Sequence, residues 1–458
     1  PLRPRLFASA AAAALPAPAS PADIRCLAVV AHVDHGKTTL LDQLLKQGAE
    51  KVAEERLMDS MSLEKERGIT IASKVTSLVW RGTTVNAMDT PGHADFGGEV
   101  ERVLDMVDGC LLLVDALEGP MAQTKFVVQK ALSRGLRPIV VFNKVDRPNA
   151  SEERCSEVYG AVFDLFAASG ATDEQLDFEP LYASGRDGWA ASSWDEAMAI
   201  VAGERKGSLA PLLDQVVARV PPPKADPAAP FAMVVSMVDR DAFLGRVVTG
   251  RVASGRAATG DKVRALKVGG GEQRGQAGKV TKVWRRRGAE RVEMEAAVAG
   301  DVVSIAGLPD ATVTDTLCDP SVAEALPSTP IDPPTISMTF AVNTSPLAGK
   351  EGTQLTSAKI SARLATEAET NVALKVLPTS SGEEFEVQGR GELHLGILVE
   401  TMRREGYELS ISPPSVVYRT CPETGRQEEP IEELLLDVEE KDVGMAMEMV
   451  TGRGGEVI

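Results

Sequence analysis

The sequence is poor in the features that mark several large classes of protein. Its 458 residues include only five cysteines, widely separated and without a CxxC spacing, so neither a disulfide framework nor a zinc site is expected. No apolar stretch approaches the ~20 residues that a membrane-spanning helix needs, and we expect no membrane partner. Acidic residues outnumber basic ones by 66 to 49, for a net charge of −17. This balance argues against a generally basic, nucleic-acid-coating surface, so any RNA contact is expected to be local.

The first 23 residues form a segment of unusual composition, rich in arginine, alanine, serine and proline, with no acid before Asp23. Such a composition is typical of an organelle transit segment, and a disordered low-complexity extension is the alternative. We therefore expect the protein in the interior of a plastid or mitochondrion, with the plastid favoured. A bacterial-type cytoplasm is the alternative location.

The rest of the chain predicts a multidomain protein. At 24–220, short apolar runs alternate with helical patterns, which predicts an α/β domain whose parallel sheet binds ligand at the carboxyl ends of its strands. A proline-rich linker at 221–230 precedes valine-rich, glycine-punctuated strands at 231–325, the pattern of a small antiparallel β-barrel. Residues 326–412 predict an α+β sandwich, and 413–458 predict one strand and one helix that start a second α+β unit.

A phosphate-binding loop is predicted at residues 31–38, AHVDHGKT, which directly follow the apolar strand IRCLAVV. Backbone N–H groups of such a loop face phosphates, Lys37 would contact the β and γ phosphates, and Thr38 would ligate Mg²⁺. For this motif alone, an ordinary glycine-containing turn is the alternative.

A second motif, DTPGH at residues 89–93, ends the strand TTVNAMD. Asp89 would then lie on the Mg²⁺ side of the phosphates, as a ligand that acts through water, and the Gly92 amide could approach the γ-phosphate. His93 follows where a group that orients the attacking water would stand.

Two further motifs complete the predicted site. Residues 143–146, NKVD, follow the strand RPIVVFNK, and the Asp146 carboxylate can accept the two N–H donors of guanine, a pair that adenine lacks. Residues 64–71, EKERGITI, predict a switch segment in which Thr70 completes the Mg²⁺ shell. A solvated charged helix is the alternative for that segment.

These motifs resemble those of the translation-factor GTPases. Longer matches are similar to the TypA/BipA family of ribosome-associated, elongation factor G-like GTPases, including DTPGHADFGGEVERVLDMVDGCLLLVDALEGPMAQT from Asp89, VNTSPLAGKEG from Val342 and GRGELHLGILVETMRREGYEL from Gly389. The resemblance covers residues 24–458. It implies an α/β G domain, a β-barrel second domain and an α+β third domain. Because the family continues beyond the unit begun at Pro430, we expect this chain to be a fragment that lacks the C-terminal domain.

The resemblance also implies the roles of individual residues. The implied phosphate-binding residues are Asp34, His35, Gly36, Lys37, Thr38 and Thr39. The implied guanine-binding residues are Asn143, Lys144 and Asp146, with Ser184 and Gly185 as the fifth GTPase motif. Most members have alanine and leucine where this chain has Gly185 and Arg186. By the same resemblance, His93 orients the attacking water when the ribosome presents its large-subunit RNA loop, with Val33 and Ile69 as an apolar gate.

The expected function is a ribosome-stimulated GTPase that uses Mg²⁺ and acts as a monomer in ribosome assembly or in translation regulation under stress. The alternative is a GTP-controlled module that binds the ribosome or RNA and in which hydrolysis only resets binding. Expected partners are GTP or GDP and the ribosome, including large-subunit rRNA. Residues 284–287, WRRR, predict either an RNA contact or an ordinary exposed hairpin, whereas His394 is expected in a core or an interface.

Overall fold

The computed structural model describes residues 20–47, 62–67, 70–91, 94–268, 276–288, 290–329, 333–379, 382–421, 424–434, 436 and 438–457. Within these ranges, no helix has the length and apolar character needed to cross a bilayer.

The amino-terminal unit is an α/β domain built on a seven-stranded sheet. Its strands are β1 (Ile24–Ala31), β2 (Lys74–Trp80), β3 (Thr83–Asp89), β4 (Gly109–Asp115), β5 (Arg137–Asn143), β6 (Leu181–Ser184) and β7 (Trp189–Ala191). Its helices are α1 (Lys37–Gln47), α2 (Ser62–Arg67), α3 (Gly97–Leu104), α4 (Ala122–Ser133), α5 (Glu152–Ala168), α6 (Asp173–Leu176), α7 (Trp194–Val201) and α8 (Ala210–Arg219). Two apolar clusters, one on each face of the sheet, form its core.

The sheet order is β2-β3-β1-β4-β5-β6-β7, and the inner strands are parallel. Sequence alternation predicted a parallel sheet, but the two edge strands are antiparallel to their neighbours. The reason is local, because β2 and β3 are joined by a tight turn in which Arg81 and Gly82 have φ angles of 48° and 86°. Such a short connection can only reverse the chain, whereas a parallel crossover needs a dozen or more residues.

The second unit is a barrel-like antiparallel sheet packed around its own apolar core. The strands of this sheet are β8 (Ala232–Val234), β9 (Met237–Asp241), β10 (Gly245–Ser254), β12 (Lys262–Leu266), β13 (Gln276–Lys279), β14 (Lys282–Arg287), β15 (Glu290–Glu293), β17 (Val302–Ala306) and β18 (Thr316–Cys318). Two further strands, β11 (Arg256–Ala258) and β16 (Ala296–Val298), pair with each other in a separate small sheet. Gly250 in β10 allows close packing, because a Cβ there would lie 1.9 Å from the carbonyl oxygen of Val234.

The WRRR segment lies in β14, which packs along the edge strand β2 of the α/β domain. Trp284 is buried, and Arg285 is fully buried in an ion pair with Asp301. Asn86 of β3 donates to the same Asp301 carboxylate over 3.1 Å. The expectation of an exposed arginine hairpin is therefore wrong for Trp284 and Arg285, which lie at the interface between the two domains.

The third unit is an α+β sandwich. Its elements are β19 (Ile336–Val342), α9 (Ser357–Thr370), β20 (Lys375–Pro378), β21 (Phe385–Gly389), α10 (Glu392–Arg404), β22 (Leu409–Ile411) and β23 (Ser415–Val416). The sheet order is β20-β21-β19-β22, with β23 also paired to β19, and both helices contribute to the core.

The remaining strands and α-helix are β24 (Arg419–Thr420), β25 (Gln427–Glu428) and α11 (Val443–Thr451), and short 3-10 helices lie at Pro21–Asp23, Ala94–Phe96 and Glu440–Asp442. The helix predicted in this region is present, but the described residues of 431–440 contain no strand. A strand requires a neighbour for its backbone hydrogen bonds. Ile431 is 88% exposed instead, with no paired strand beside it among the described residues.

Candidate nucleotide-binding site

The loop between β1 and α1 has the geometry of a phosphate cradle. Strand β1 ends at Ala31 and helix α1 begins at Lys37, so the loop residues converge on a helix N-terminus. Asp34 and Gly36 have φ angles of 64° and 93°. Gly36 is required for a second reason, because a Cβ there would lie 2.6 Å from Nδ2 of Asn143.

Lys37, Asp89 and Thr70 meet at the end of the site that is predicted to hold the phosphates. Lys37 Nζ lies 3.0 Å from Oδ1 of Asp89 and donates to the carbonyl of Thr90. The Thr70 hydroxyl donates to Oδ2 of Asp89 over 3.3 Å. All these side chains are buried, so a fixed positive charge and two kinds of oxygen ligand are held together out of bulk water.

Asn143 connects the phosphate loop to the loop after β6. Its Nδ2 donates to the carbonyl of His35 over 2.8 Å, and its Oδ1 accepts from the Gly185 amide over 2.8 Å. The side chain is buried, so both bonds are formed away from water, where losing either partner is costly. Three segments predicted separately are thus joined by one amide group, and Gly185 takes part through its backbone N–H.

The side chain of His35 packs beneath the phosphate-binding loop, against the end of β4. Its ring is fully buried, and its Nδ1 lies 3.3 Å from the Asp115 amide, while Nε2 lies 3.4 Å from a Glu118 carboxylate oxygen. Burial lowers the pKa of His35, because the charged imidazolium loses its hydration. The neutral ring is therefore the favoured form, and its Nδ1 also lies 3.4 Å from the carbonyl oxygen of Leu113.

Lys144 also contacts Asp115, a residue that the sequence motifs did not single out. Lys144 Nζ lies 2.7 Å from Oδ2 of Asp115, and Arg147 lies 3.4 Å from the same oxygen. Burial alone would raise the pKa of Asp115, but the hydrogen bonds from Lys144 and from the Leu117 amide bring it below its ordinary value. Asp115 ends β4, and its place at the carboxyl edge of the sheet was the available signal.

The residues predicted to recognise the guanine base lie at the rim of the same edge. Asp146 forms an ion pair of 2.9 Å with Arg186, which directly follows Gly185. The Ser184 hydroxyl donates to Asp187 over 2.9 Å, and the Gly188 amide donates to the Ser184 carbonyl, which closes a tight turn. The sequence had marked Arg186 only as a departure from the family pattern.

Other predicted residues differ in how far the structure describes them. Thr38 and Thr39 lie in the first turn of α1, Thr38 half-buried and Thr39 exposed. Val33 is half-buried in the loop. The predicted catalytic His93, the predicted γ-phosphate contact Gly92 and the gate residue Ile69 lie outside the described residues.

The third domain contacts the segments that flank the site. The Asp95 carboxylate accepts hydrogen bonds from the amides of Leu393 and His394, over 3.0 and 3.4 Å, at the N-terminus of α10. At the other end of this helix, Arg404 lies 2.6 Å from Glu66 of α2. An apolar cluster fills the space between these contacts, with Leu63, Ile71, Phe96, Leu393 and Ile397 as members. His394 is buried in this interface as expected.

Known proteins resemble this chain over nearly its whole length. The elongation factor Tu GTP binding domain family matches residues 22–222, and the elongation factor Tu domain 2 family matches residues 245–318. A Synechocystis protein named large ribosomal subunit assembly factor BipA is 49% identical over 438 residues, 95% of this chain and 71% of that relative. The chain belongs to the BipA family. It is accordingly a GTP-binding protein and a GTPase, whose first two domains are of the elongation factor Tu type.

Other comparisons agree with this assignment. A BipA from Haemophilus influenzae is 48% identical over 439 residues, 95% of this chain and 69% of the relative. A crystal structure of a Thermus thermophilus protein has a TM-score of 0.64 at 22% identity, over 87% of this chain and 68% of that one. At that identity the likeness supports the multidomain fold alone.

Proposed function

We propose that this BipA-family GTPase acts on the ribosome, in large-subunit assembly or in translation regulation under stress, and that ribosomes stimulate its GTP hydrolysis. The observation that carries the hydrolytic part of the proposal is the convergence of Lys37, Asp89 and Asn143, from three separate strand ends, at one edge of the sheet. The relatives' name, large ribosomal subunit assembly factor, supports the ribosomal part.

We also propose that Mg²⁺ accompanies the nucleotide. Asp89 and Thr70 provide a carboxylate and a hydroxyl oxygen 3.3 Å apart, and Thr38 stands in the adjacent helix turn. Such hard oxygen donors are the ligands that Mg²⁺ prefers, and when bound this ion neutralises charge on the β and γ phosphates. The described part of the chain has no cluster of three or more His, Cys, Asp or Glu side chains able to hold a metal. A site with so few protein ligands fits an ion held largely by phosphate and water oxygens.

The proposed chemistry is in-line transfer of the γ-phosphoryl group to water. Lys37 contributes a fixed positive charge beside the phosphates. Because this charge is already in place, it stabilises the negative charge that develops in the transition state without reorganisation of the site. His93 is proposed to orient the attacking water, on the strength of its position in DTPGH.

The test is GTP turnover by the wild type, His93→Ala and His93→Gln, with and without 70S-type ribosomes. Ribosomes should accelerate the wild type at least about tenfold, and His93→Ala should lose roughly 10²- to 10³-fold of the stimulated rate. His93→Gln should retain part of the rate, since an amide can also hold a water. Equal GDP affinity in all three serves as the control. If ribosomes leave the wild-type rate unchanged, the ribosome-triggered mechanism is wrong.

A second candidate function is a GTP-controlled binding module in which hydrolysis only resets binding. It is favoured by the packing of α10 against Leu63, Ile71 and Phe96, which flank the site on both sides. Because nucleotide-dependent movement there would reach the third domain directly, binding could itself be the output. His93→Ala separates the two functions: loss of cellular function with ribosome binding intact favours the enzyme, and retained function favours the module.

A further inference from the structure

The carboxylate predicted to recognise guanine is paired with a cation from its own domain. Nη2 of Arg186 lies 2.9 Å from Oδ2 of Asp146. The Asp146 side chain is only 14% exposed, whereas that of Arg186 is 77% exposed. The pair therefore lies at the mouth of the base site, with the carboxylate inside and the arginine on the solvent side.

Arg186 is held in this position by its own turn. Its Nε lies 3.2 Å from Oδ1 of Asp187, and its Nη2 lies 3.4 Å from Oδ2 of the same residue. Its backbone carbonyl accepts from Gln43 Nε2 over 3.1 Å, so both ends of the residue are anchored. A guanidinium is a planar fork of N–H donors that matches carboxylate geometry. The arginine thus offers Asp146 the same kind of donors that a guanine edge would offer.

We propose that Arg186 is a specificity-determining residue that competes with the guanine base for Asp146 and so weakens the binding of guanine nucleotides. The proposal rests on the assignment of Asp146 as the base-recognising residue. Guanine presents N1–H and the 2-amino group to the two carboxylate oxygens together, so the guanidinium must withdraw from Oδ2 and keep only its bonds to Asp187. Adenine lacks this donor pair, so binding of an adenine nucleotide does not require the guanidinium to leave Oδ2. Arg186 therefore reduces the preference for guanine over adenine nucleotides.

The experiment compares GDP and ADP affinities of the wild type, Arg186→Leu and a matched control, Arg81→Leu. Arg81 is also an exposed arginine in an ion pair, 3.1 Å from Asp214, but it lies in the β2–β3 turn, at the end of β3 opposite Asp89. Arg186→Leu should bind GDP about two- to fivefold more tightly, the range expected for an exposed ion pair, with ADP affinity unchanged. The gain should shrink at high salt, because salt screens the pair in the wild type. Arg81→Leu should match the wild type.

Three results would overturn the proposal: unchanged GDP affinity in Arg186→Leu, weaker GDP binding, or an equal gain for ADP. Arg186→Gln, which also removes the charge, provides a second variant should the leucine disturb the turn. Asp146→Asn tests the underlying assignment separately. If it leaves GDP affinity intact, Asp146 does not read the base and the premise fails. If it abolishes GDP binding, the premise holds, and the GDP affinity of Arg186→Leu decides the proposal. In the Asp146→Asn background, assayed with xanthosine diphosphate, Arg186→Leu should give no gain.

Discussion

Replacing Gly391 with alanine is expected to detach the N-terminus of α10 from the segment that follows DTPGH. Gly391 is the N-cap of this helix and has extended backbone angles that alanine adopts freely. A Cβ there would, however, lie 2.2 Å from carboxylate atoms of Asp95. The carboxylate would have to retreat by about 1 Å, which breaks its hydrogen bonds to the amides of Leu393 and His394.

The magnitude follows from what Asp95 supplies. A side-chain cap is worth about 0.5–2 kcal/mol, and a negative charge at a helix N-terminus adds about 0.3–1 kcal/mol. Taking about 1–2 kcal/mol for the whole contact, protection of the Leu393 and His394 amides from hydrogen exchange should fall roughly 5- to 30-fold. Gly396→Ala is the matched control, since it lies in the same helix and its added methyl meets open space. It should not reduce this protection, because alanine favours helix over glycine.

A double-mutant cycle decides whether the reasoning is right. Asp95→Ala removes the same contact from the other side, so the double variant should lose no more protection than Asp95→Ala alone. Additive losses in the cycle would refute the shared contact. Unchanged exchange in Gly391→Ala would show that the carboxylate accommodates the methyl group without losing its bonds.

Two other perturbations test buried and loop contacts elsewhere in the protein. Arg285→Leu should destabilise the protein by about 3–5 kcal/mol in denaturant unfolding, because Asp301 stays buried without its guanidinium partner. Adding Asp301→Leu should recover much of that loss. A cost below about 1 kcal/mol for Arg285→Leu alone would contradict this reasoning. Backbone N–H bonds from the loop at 349–352, that of Gly352 foremost, lower the pKa of Glu408 to about 2 from a usual 4.5. A lowered pKa means that the carboxylate stabilises the loop above about pH 4.5 and that this contribution is lost as the pH falls toward 2. The protection factors of the loop amides, which correct for the intrinsic pH dependence of exchange, should therefore fall over this range in the wild type and not in Glu408→Gln.

The arrangement of the nucleotide site was predictable because each motif is local in sequence. Lys37 follows β1, Asp89 ends β3 and Asn143 ends β5, and parallel strands bring their carboxyl ends to one edge whatever their order. The α+β sandwich at 326–412 was likewise predicted, from the order of its strand and helix patterns. Antiparallel edge strands were not predicted, because pairing direction depends on connections that a pattern of apolar residues does not encode.

Which arginine meets which partner could not be read from the sequence. Arg285 and Arg286 are neighbours, yet Arg285 is fully buried with Asp301 while Arg286 forms a partly exposed pair with Asp239. Alternation along β14 sends the two side chains to opposite faces, and only the packing of β14 against β2 determines which face is closed. Arg186 presents the same difficulty, since its partner Asp146 lies 40 residues earlier in the chain.

The two ends of the site are held by different parts of the protein. The base end is fixed within the α/β domain, because Asn143 joins the loop before α1 to Gly185. The predicted γ-phosphate end is bounded by Thr70 and the segment containing Asp95, and Ile71 and Asp95 contact α10 of the third domain. GDP and GTP share the base end and differ only at the γ-phosphate. We therefore expect changes at Asn143 to affect the binding of both nucleotides alike, and changes in α10 to affect GTP binding more than GDP binding. On this reasoning we expect the third domain to respond to the difference between GTP and GDP.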